Sequence, residues 1–192
     1  PYLHDHGRFY AAHEPADGSD GQRAARERFK AKMAADREAY GRAVVGTMPD
    51  PGKGFTDIRP AHGADAVLTF RNIHNWIEHG ELDGMLRAFH AVLKPGGVLG
   101  VEEHRAPEGT SLDQVMRTGY VPETLVIERA NAAGFKLAGK SEVNANPLDT
   151  KDHPNGVWSL PPTLRGGATD RARFIAIGES DRMTLKFIKP MA

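Results

Sequence analysis

Two histidines of this sequence lie where side chains could remove a proton from a bound molecule. His74 belongs to the polar and aromatic run Arg71–Trp76, and His104 belongs to the charged run Glu102–Arg105. Each run directly follows an apolar segment with the composition of a strand. Imidazole changes its charge near neutral pH, so either histidine is a candidate general base. The sequence therefore predicts proton transfer where these strands end.

Other side chains of the same runs are suited to holding a ligand. Asn72 and Asn75 can orient a substrate by hydrogen bonds, and Arg105 can bind a carboxylate or phosphate with both arms of its guanidinium group. Trp76 either stacks on an adenine or substrate ring or anchors the core. The alternative for both runs is a set of loop hydrogen bonds, a helix cap and a salt-bridged surface turn.

A metal site is the second chemistry that these residues allow. His74, Glu102, His104 and His153 offer imidazole and carboxylate donors, which suit a first-row divalent ion. The sequence has no tight ligand spacing of the His-Glu-x-x-His kind, so no metal is predicted. The turn Glu179–Arg182 is expected to form a structural ion-pair network.

Charge and composition narrow the classes of partner. The 192 residues include 25 Lys and Arg against 25 Asp and Glu, and no cysteine. A balanced charge gives no reason to expect nucleic acid, and the absence of cysteine excludes disulfides and thiolate chemistry. No apolar run reaches the roughly 18 residues of a membrane span. A small-molecule partner is expected, a homo-oligomer is compatible with the sequence, and the compartment is left open.

Apolar periodicity predicts strands that alternate with helices. The predicted strands are 8–13, 43–47, 64–70, 98–102, 135–143 and 183–188, and the predicted helices are 22–40, 81–93, 122–133 and 170–177. This order predicts a single α/β domain over 1–192, with a mostly parallel sheet and an antiparallel last strand. The continuous apolar run 64–70 indicates a strand covered on both faces.

The long polar segment 144–167 contains four prolines and is predicted to be a loop that folds over the site as a lid. Under that interpretation Tyr120, Trp158 and Arg165 are candidates for contact with the substrate.

Several segments together resemble one protein family. Leu93-Lys-Pro-Gly-Gly97, followed by an apolar strand, resembles the approach to the fifth strand of class I S-adenosylmethionine-dependent methyltransferases. With His104–Pro107, Gly156–Pro162 and Gly178–Met183, the pattern is similar to a group of bacterial predicted methyltransferases. The resemblance implies a Rossmann-like sheet of order 3-2-1-4-5-7-6, S-adenosylmethionine as cofactor, and methyl transfer to a small molecule.

The same resemblance exposes a departure from the family. It makes 8–13 strand two, 43–47 strand three, 64–70 strand four and 98–102 strand five, so strand one and its glycine-rich turn have no counterpart. Strand one is central, and without it two edges keep unpaired backbone groups. Either residues preceding this sequence supply it, which the helix-tail character of Pro1–Leu3 favours, or another polypeptide completes the sheet.

The resemblance also assigns the cofactor residues. In the family an acid at the end of strand two binds the ribose hydroxyls, which falls on His13 or Glu14, and the chemistry favours Glu14. Arg71 and Asn72, after strand four, are assigned to the cofactor as well. His74 or His104 would remove the substrate's proton. The alternatives are a protein of this fold that binds a ligand or runs a cofactor-independent reaction, and an assembly module completed by a partner.

Overall fold

A computed structural model describes residues 7–191, which form two sheets and their flanking helices. The strands are β1 Tyr10–His13, β2 Val44–Thr47, β3 Ala64–Phe70, β4 Leu93–Ala106, β5 Val121–Pro122, β6 Lys136–Ser141 and β7 Arg182–Ile188. The helices are α1 Asp20–Ala35, α2 Arg37–Tyr40, α3 Ile73–Glu78, α4 Leu82–Val92, α5 Leu112–Thr118, α6 Glu123–Ala132 and α7 Arg171–Ile177, with a 3-10 helix at Gly156–Ser159. The segment Pro1–Leu3, predicted to be a helix tail, lies outside the described residues.

The larger sheet has five strands in the order β3-β4-β7-β6, with β5 paired to the end of β4. β3 runs parallel to β4, and the register places Phe70 beside Glu102. β7 is antiparallel to both β4 and β6, which confirms the predicted antiparallel last strand. The ends of β3 and β4 that carry the two candidate histidines therefore lie side by side.

The smaller sheet consists of β1 and β2, paired in parallel. Among residues 7–191 no strand pairs with both β1 and β3, so the two sheets match separate parts of the expected strand order. One face of β3 is exposed to solvent at this edge, since Leu68 and Phe70 are 63% and 58% exposed. The expectation that both faces of β3 are covered is wrong for the described residues, because an apolar run alone does not report what covers it.

The core lies between the larger sheet and helices α3, α4 and α6. Apolar side chains recur along α4 at helical spacing, and Leu82, Met85, Leu86 and Phe89 are all buried. Burying such a side chain contributes roughly 1.5–3 kcal/mol. This stripe fixes α4 beneath β3 and β4, and it confirms the helix predicted over 81–93.

Two elements differ from the predictions for local physical reasons. Residues 103–105, predicted to follow the strand 98–102, belong to β4, which continues to Ala106 because its end pairs with both β5 and β7. The predicted helix 22–40 is interrupted at Asp36, whose carboxylate accepts the Ala39 amide hydrogen and starts a new helix. No helix of the described residues is both long and apolar enough to cross a bilayer.

The predicted loop 144–167 is held by specific contacts. It contains the 3-10 helix, and Val157, Ser159 and Leu160 are buried. The Asn146 side chain donates hydrogen bonds to the carbonyls of Ile177 and Glu179. These contacts position the segment beside the carboxyl end of β4.

Candidate active site

A cavity of about 240 Å³ opens at the carboxyl ends of β3 and β4. Its walls come from the end of β3, from α3, from β4, from the 3-10 helix and the segment after it, and from the turn before β7 with the start of β7. The lining residues are Phe70, Arg71, His74, His104, Val157, Trp158, Pro161, Pro162, Thr163, Glu179, Ser180 and Arg182. This is the edge of an open α/β sheet where ligands bind.

His74 is held in this wall by a buried carboxylate. Its Nδ1 lies 3.0 Å from Oε1 of Glu103, and its backbone amide lies 3.3 Å from Oε2 of the same residue. His74 is 7% exposed and Glu103 is fully buried. A carboxylate accepts and does not donate, so Nδ1 carries the hydrogen and Nε2 keeps its lone pair. The pair therefore has the form of an oriented general base.

His104 lies close to this pair but has different partners. Its ring centroid is 5.4 Å from that of His74, and its Nδ1 is 2.5 Å from the hydroxyl oxygen of the buried Ser180. Burial, together with the neighbouring His74 and Arg71, lowers the pKa of His104 to about 3. His104 is accordingly neutral at physiological pH and a weak proton acceptor.

The two adjacent glutamates of β4 have separate roles. Glu103 contacts both candidate histidines, since its Oε1 also accepts the His104 backbone amide hydrogen at 2.9 Å. Glu102 instead forms an ion pair with Arg182, whose Nε is 2.7 Å away. Burial raises the pKa of Glu102, while Arg182 opposes that shift. The carboxylate beside the histidines is therefore Glu103 and not Glu102, which was the predicted candidate.

Arg71 and Asn72 follow β3 directly. Arg71 has a φ of +55°, a left-handed conformation that a non-glycine residue rarely adopts, and it lines the cavity. The Asn72 side-chain amide lies 3.1 Å from the Thr69 hydroxyl oxygen. This turn aims Arg71 at the cavity and ties Asn72 back to the strand.

Trp158 forms an aromatic wall between the cavity and the outer part of the 144–167 segment. Its ring centroid lies 6.0 Å from that of His74 in an edge-on arrangement, and the Arg165 guanidinium carbon lies 5.2 Å from its ring centroid. Arg165 is not among the lining residues, so it supports Trp158 from outside the cavity.

Two predicted substrate residues are engaged in a neighbouring polar network. Arg105 forms ion pairs with Glu142 at 2.7 Å and with Asp181 at 2.9 Å. The Tyr120 hydroxyl donates to the Asp149 carboxylate at 2.8 Å, and Asp149 also accepts the Asp181 amide hydrogen. Neither Arg105 nor Tyr120 lines the cavity. Their network anchors the turn that brings Ser180 and Arg182 to it.

The remaining predicted residues lie away from the cavity. Trp76 is 5% exposed and packs edge-on against Phe89, so it belongs to the core, as one of its two interpretations held. Asn75 is exposed on α3. His153 bonds Asp149 at 2.8 Å instead of joining the histidines of the cavity.

His13 and Glu14 lie at the carboxyl end of β1, on the smaller sheet. The His13 ring packs 4.9 Å from that of Phe29, and its Nδ1 accepts the Glu14 amide hydrogen. The Glu14 side chain is only partly buried and accepts a hydrogen bond of 2.8 Å from Gln22. Neither residue lines the cavity.

Sequence reasoning did not single out Glu103, Ser180 and the proline pair Pro161–Pro162 as parts of the site. The signal for Glu103 was the alternation of side chains along a strand, which shows only when β4 is recognised as extending past Glu102. Ser180 comes to His104 from 76 positions further along the chain. No local pattern reveals a contact of that range.

No protein-family profile matches the sequence, and no curated protein matches it. Solved structures of similar fold include SpnF, a [4+2]-cyclase, with a TM-score of 0.58, 19% identity, and coverage of 96% of this chain and 76% of that one. A SAM-dependent methyltransferase from Methanosarcina mazei has a TM-score of 0.59 at 9% identity, with coverage of 100% of this chain and 86% of that one.

An O-methyltransferase family protein from Burkholderia thailandensis aligns with a TM-score of 0.52 at 12% identity, over 97% of this chain and 44% of that protein. The chain therefore spans less than half of that relative. Similarity at these identities establishes the architecture alone. The chain has the α/β, Rossmann-like fold of class I methyltransferases, as its resemblance to that family predicted.

Proposed function

We propose that this protein transfers a methyl group from S-adenosylmethionine to a small molecule that loses a proton as it is methylated. The observation that carries the proposal is the His74–Glu103 pair, whose histidine lines a cavity at the carboxyl ends of β3 and β4. The cavity is small, about 240 Å³, and its lining combines aromatic and proline side chains with charged and polar groups. Such a cavity favours a small acceptor over a polymer.

His74 is the better proton acceptor of the two histidines. The Glu103 carboxylate fixes its ring tautomer and stabilises the imidazolium that forms when Nε2 takes a proton. His104 has no carboxylate on its ring, and burial lowers its pKa to about 3. We assign proton removal to His74, and to His104 and Ser180 the positioning of the acceptor. The remaining rate enhancement comes from holding the acceptor in line with the methyl group.

Residues at the carboxyl ends of β1 and β3 are chemically suited to the cofactor. Bound S-adenosylmethionine supplies an electrophilic methyl group on a positively charged sulfur. Glu14 is partly buried, and a carboxylate that accepts one bond from Gln22 keeps capacity for two ribose hydroxyls. His13 lies beside it, and Arg71 and Asn72 adjoin the cavity. These four residues would hold the cofactor.

Isothermal titration calorimetry tests this proposal. It measures the binding of S-adenosylmethionine and S-adenosylhomocysteine to the whole natural protein. We expect micromolar binding, and Glu14→Gln should weaken it roughly 10- to 100-fold, because hydrogen bonds to a charged group contribute about 1.5–3 kcal/mol. Glu38→Gln, at an exposed position of α2, is the matched control and should leave the affinity unchanged. Failure of the folded protein to bind either compound would refute the methyltransferase proposal.

That negative result would favour a second candidate, a cofactor-independent reaction in the same cavity. The specific observation behind it is the similarity in fold to the cyclase SpnF. The His74–Glu103 pair, Ser180 and the cavity walls do not depend on the cofactor for their contacts.

We further propose that a strand from outside residues 7–191 pairs between β1 and β3 and joins the two sheets. Its support is the edge of β3 that does not face β4, which no described strand pairs with, and the exposed Leu68 and Phe70 on that strand. An exposed apolar edge strand is otherwise an aggregation site. The proposal concerns only the position of the strand, whether it belongs to this polypeptide or to a partner.

Hydrogen–deuterium exchange on the whole natural protein tests the closing strand. The β3 amides that do not pair with β4 should be strongly protected, as are amides inside a sheet. The amides of β4 provide the internal reference, since β4 is paired on both sides. Fast exchange along the free edge of β3, with β4 protected, would refute the proposal.

A further inference from the structure

The side chains of His74, Glu103 and His104 form a cluster whose geometry goes beyond a general base. One ligand atom from each residue lies within 4.8 Å of the others. Ligand atoms on one transition-metal ion lie roughly 3–4 Å apart, because bonds to nitrogen and oxygen are about 2.0–2.2 Å long. The 3.0 Å between His74 Nδ1 and Glu103 Oε1 already equals that spacing. Small side-chain adjustments suffice to close the set around one ion.

The charge of the cluster points in the same direction. Glu103 is fully buried, and among the ion pairs of residues 7–191 its partner is His74 alone. A buried carboxylate needs compensating positive charge, and no lysine or arginine of the described chain is paired with it. A divalent cation would supply that charge. Two imidazoles with one carboxylate are the donors that first-row transition ions prefer over magnesium or calcium.

The surroundings leave one side of the cluster open. His74 and His104 both line the cavity, whereas Glu103 lies behind them in the sheet. The Ser180 hydroxyl oxygen, 2.5 Å from His104 Nδ1, is a further oxygen at the same place. Three protein ligands with open positions toward a cavity are the arrangement of catalytic metal sites, in contrast to closed structural ones.

We propose that His74, Glu103 and His104 bind one first-row divalent transition ion, such as Zn²⁺ or Co²⁺, with its open positions facing the cavity. This inference goes beyond the proposed function and does not depend on it. An ion held there would coordinate an acceptor oxygen and lower the pKa of its hydroxyl group. This would favour the same deprotonated acceptor that His74 produces by taking up the proton when no ion is bound.

Calorimetric titration with Zn²⁺, and with Mg²⁺ as the contrasting ion, tests the proposal in the absence of S-adenosylmethionine. The protein should carry His4→Gln and His6→Gln, since His4-Asp5-His6 is a second group of potential ligands near the start of the sequence. We expect one Zn²⁺ per chain and at least 100-fold weaker binding of Mg²⁺. Glu103→Gln and His104→Gln should each weaken Zn²⁺ binding at least 10-fold, whereas the exposed His79→Gln should not.

A second measurement does not depend on whether those variants fold. It is X-ray absorption at the zinc edge, recorded on zinc-loaded protein that keeps its three proposed ligands. Two imidazole ligands with oxygen in the remaining positions are expected. No stoichiometric Zn²⁺ binding, or binding that the Glu103 and His104 variants leave unchanged in folded protein, would overturn the proposal. Methyl transfer with His74 as proton acceptor would stand in that case, because its tests read cofactor binding and turnover.

Discussion

Replacing His74 by glutamine should lower the turnover number for methyl transfer by roughly 10²- to 10⁴-fold, the usual contribution of a positioned general base. Glutamine keeps a polar side chain of comparable length but cannot take up a proton. The Glu103 carboxylate would remain buried without the ring to which it is bonded. Affinity for S-adenosylmethionine should stay within about threefold, because His74 is not one of the four residues proposed to hold the cofactor.

The measurement is release of S-adenosylhomocysteine in the presence of small hydroxylated aromatic acceptors, which match the apolar walls formed by Phe70 and Trp158. His79→Gln is the matched control, since His79 is an exposed histidine just past the end of α3 and is not among the residues lining the cavity. Turnover by the His74 variant within a few-fold of the unsubstituted enzyme would exclude His74 as the proton acceptor.

The sequence predicts well those elements whose signal is local. The bounds of β3 agree with the predicted strand 64–70, and α4 agrees with its apolar stripe to within one residue at each end. The antiparallel β7 follows from the lack of a full crossover helix before it. In each case periodicity or connection length alone determines the structure, and neither depends on distant residues.

Shorter helices were not predicted, because their sequence signals are weak or because their formation depends on tertiary contacts. α3 has only six residues, in a run that was interpreted as a polar strand end. α5 begins with a capping box between Ser111 and Gln114, a recognisable signal in a stretch that was left unassigned. Helices this short depend on packing for their stability. Missing α3 concealed that His74 lies in a first helical turn, directly above Glu103.

The site was predicted in part for the same reason. The two histidines were found because each follows a predicted strand, and the topology of parallel strands brings such ends together. To decide whether Glu102 or Glu103 faces the histidines, one must know that side chains of β4 continue to alternate between the two faces of the sheet beyond the predicted end of the strand. Arg105 was predicted to bind substrate, yet its acidic partners Glu142 and Asp181 come from distant segments. Charge complementarity between remote segments is not readable from one sequence.

The segment that carries Trp158 depends on a glycine at its start. Gly156 has a φ of +54°, and a Cβ atom built on it would lie 2.1 Å from the Thr118 carbonyl oxygen and 2.4 Å from the Thr118 Cα. Both are backbone atoms at the end of α5, so no side-chain rotation can relieve the contact. The close approach of Gly156 to α5 therefore sets the position of the cavity wall beyond it.

Gly156→Ala is expected to destabilise the protein by about 2–4 kcal/mol, about 1 kcal/mol from the left-handed backbone and about 1–3 kcal/mol from the overpacking. Gly167→Ala separates the two effects. Gly167 has a φ of +74° with no atom within 4 Å of the added Cβ, so only the backbone contribution of about 1 kcal/mol applies. Urea unfolding gives both values if the slope is unchanged. Equal losses in the two variants would mean that α5 and the 3-10 segment separate freely, and that the wall carrying Trp158 is not fixed by this contact.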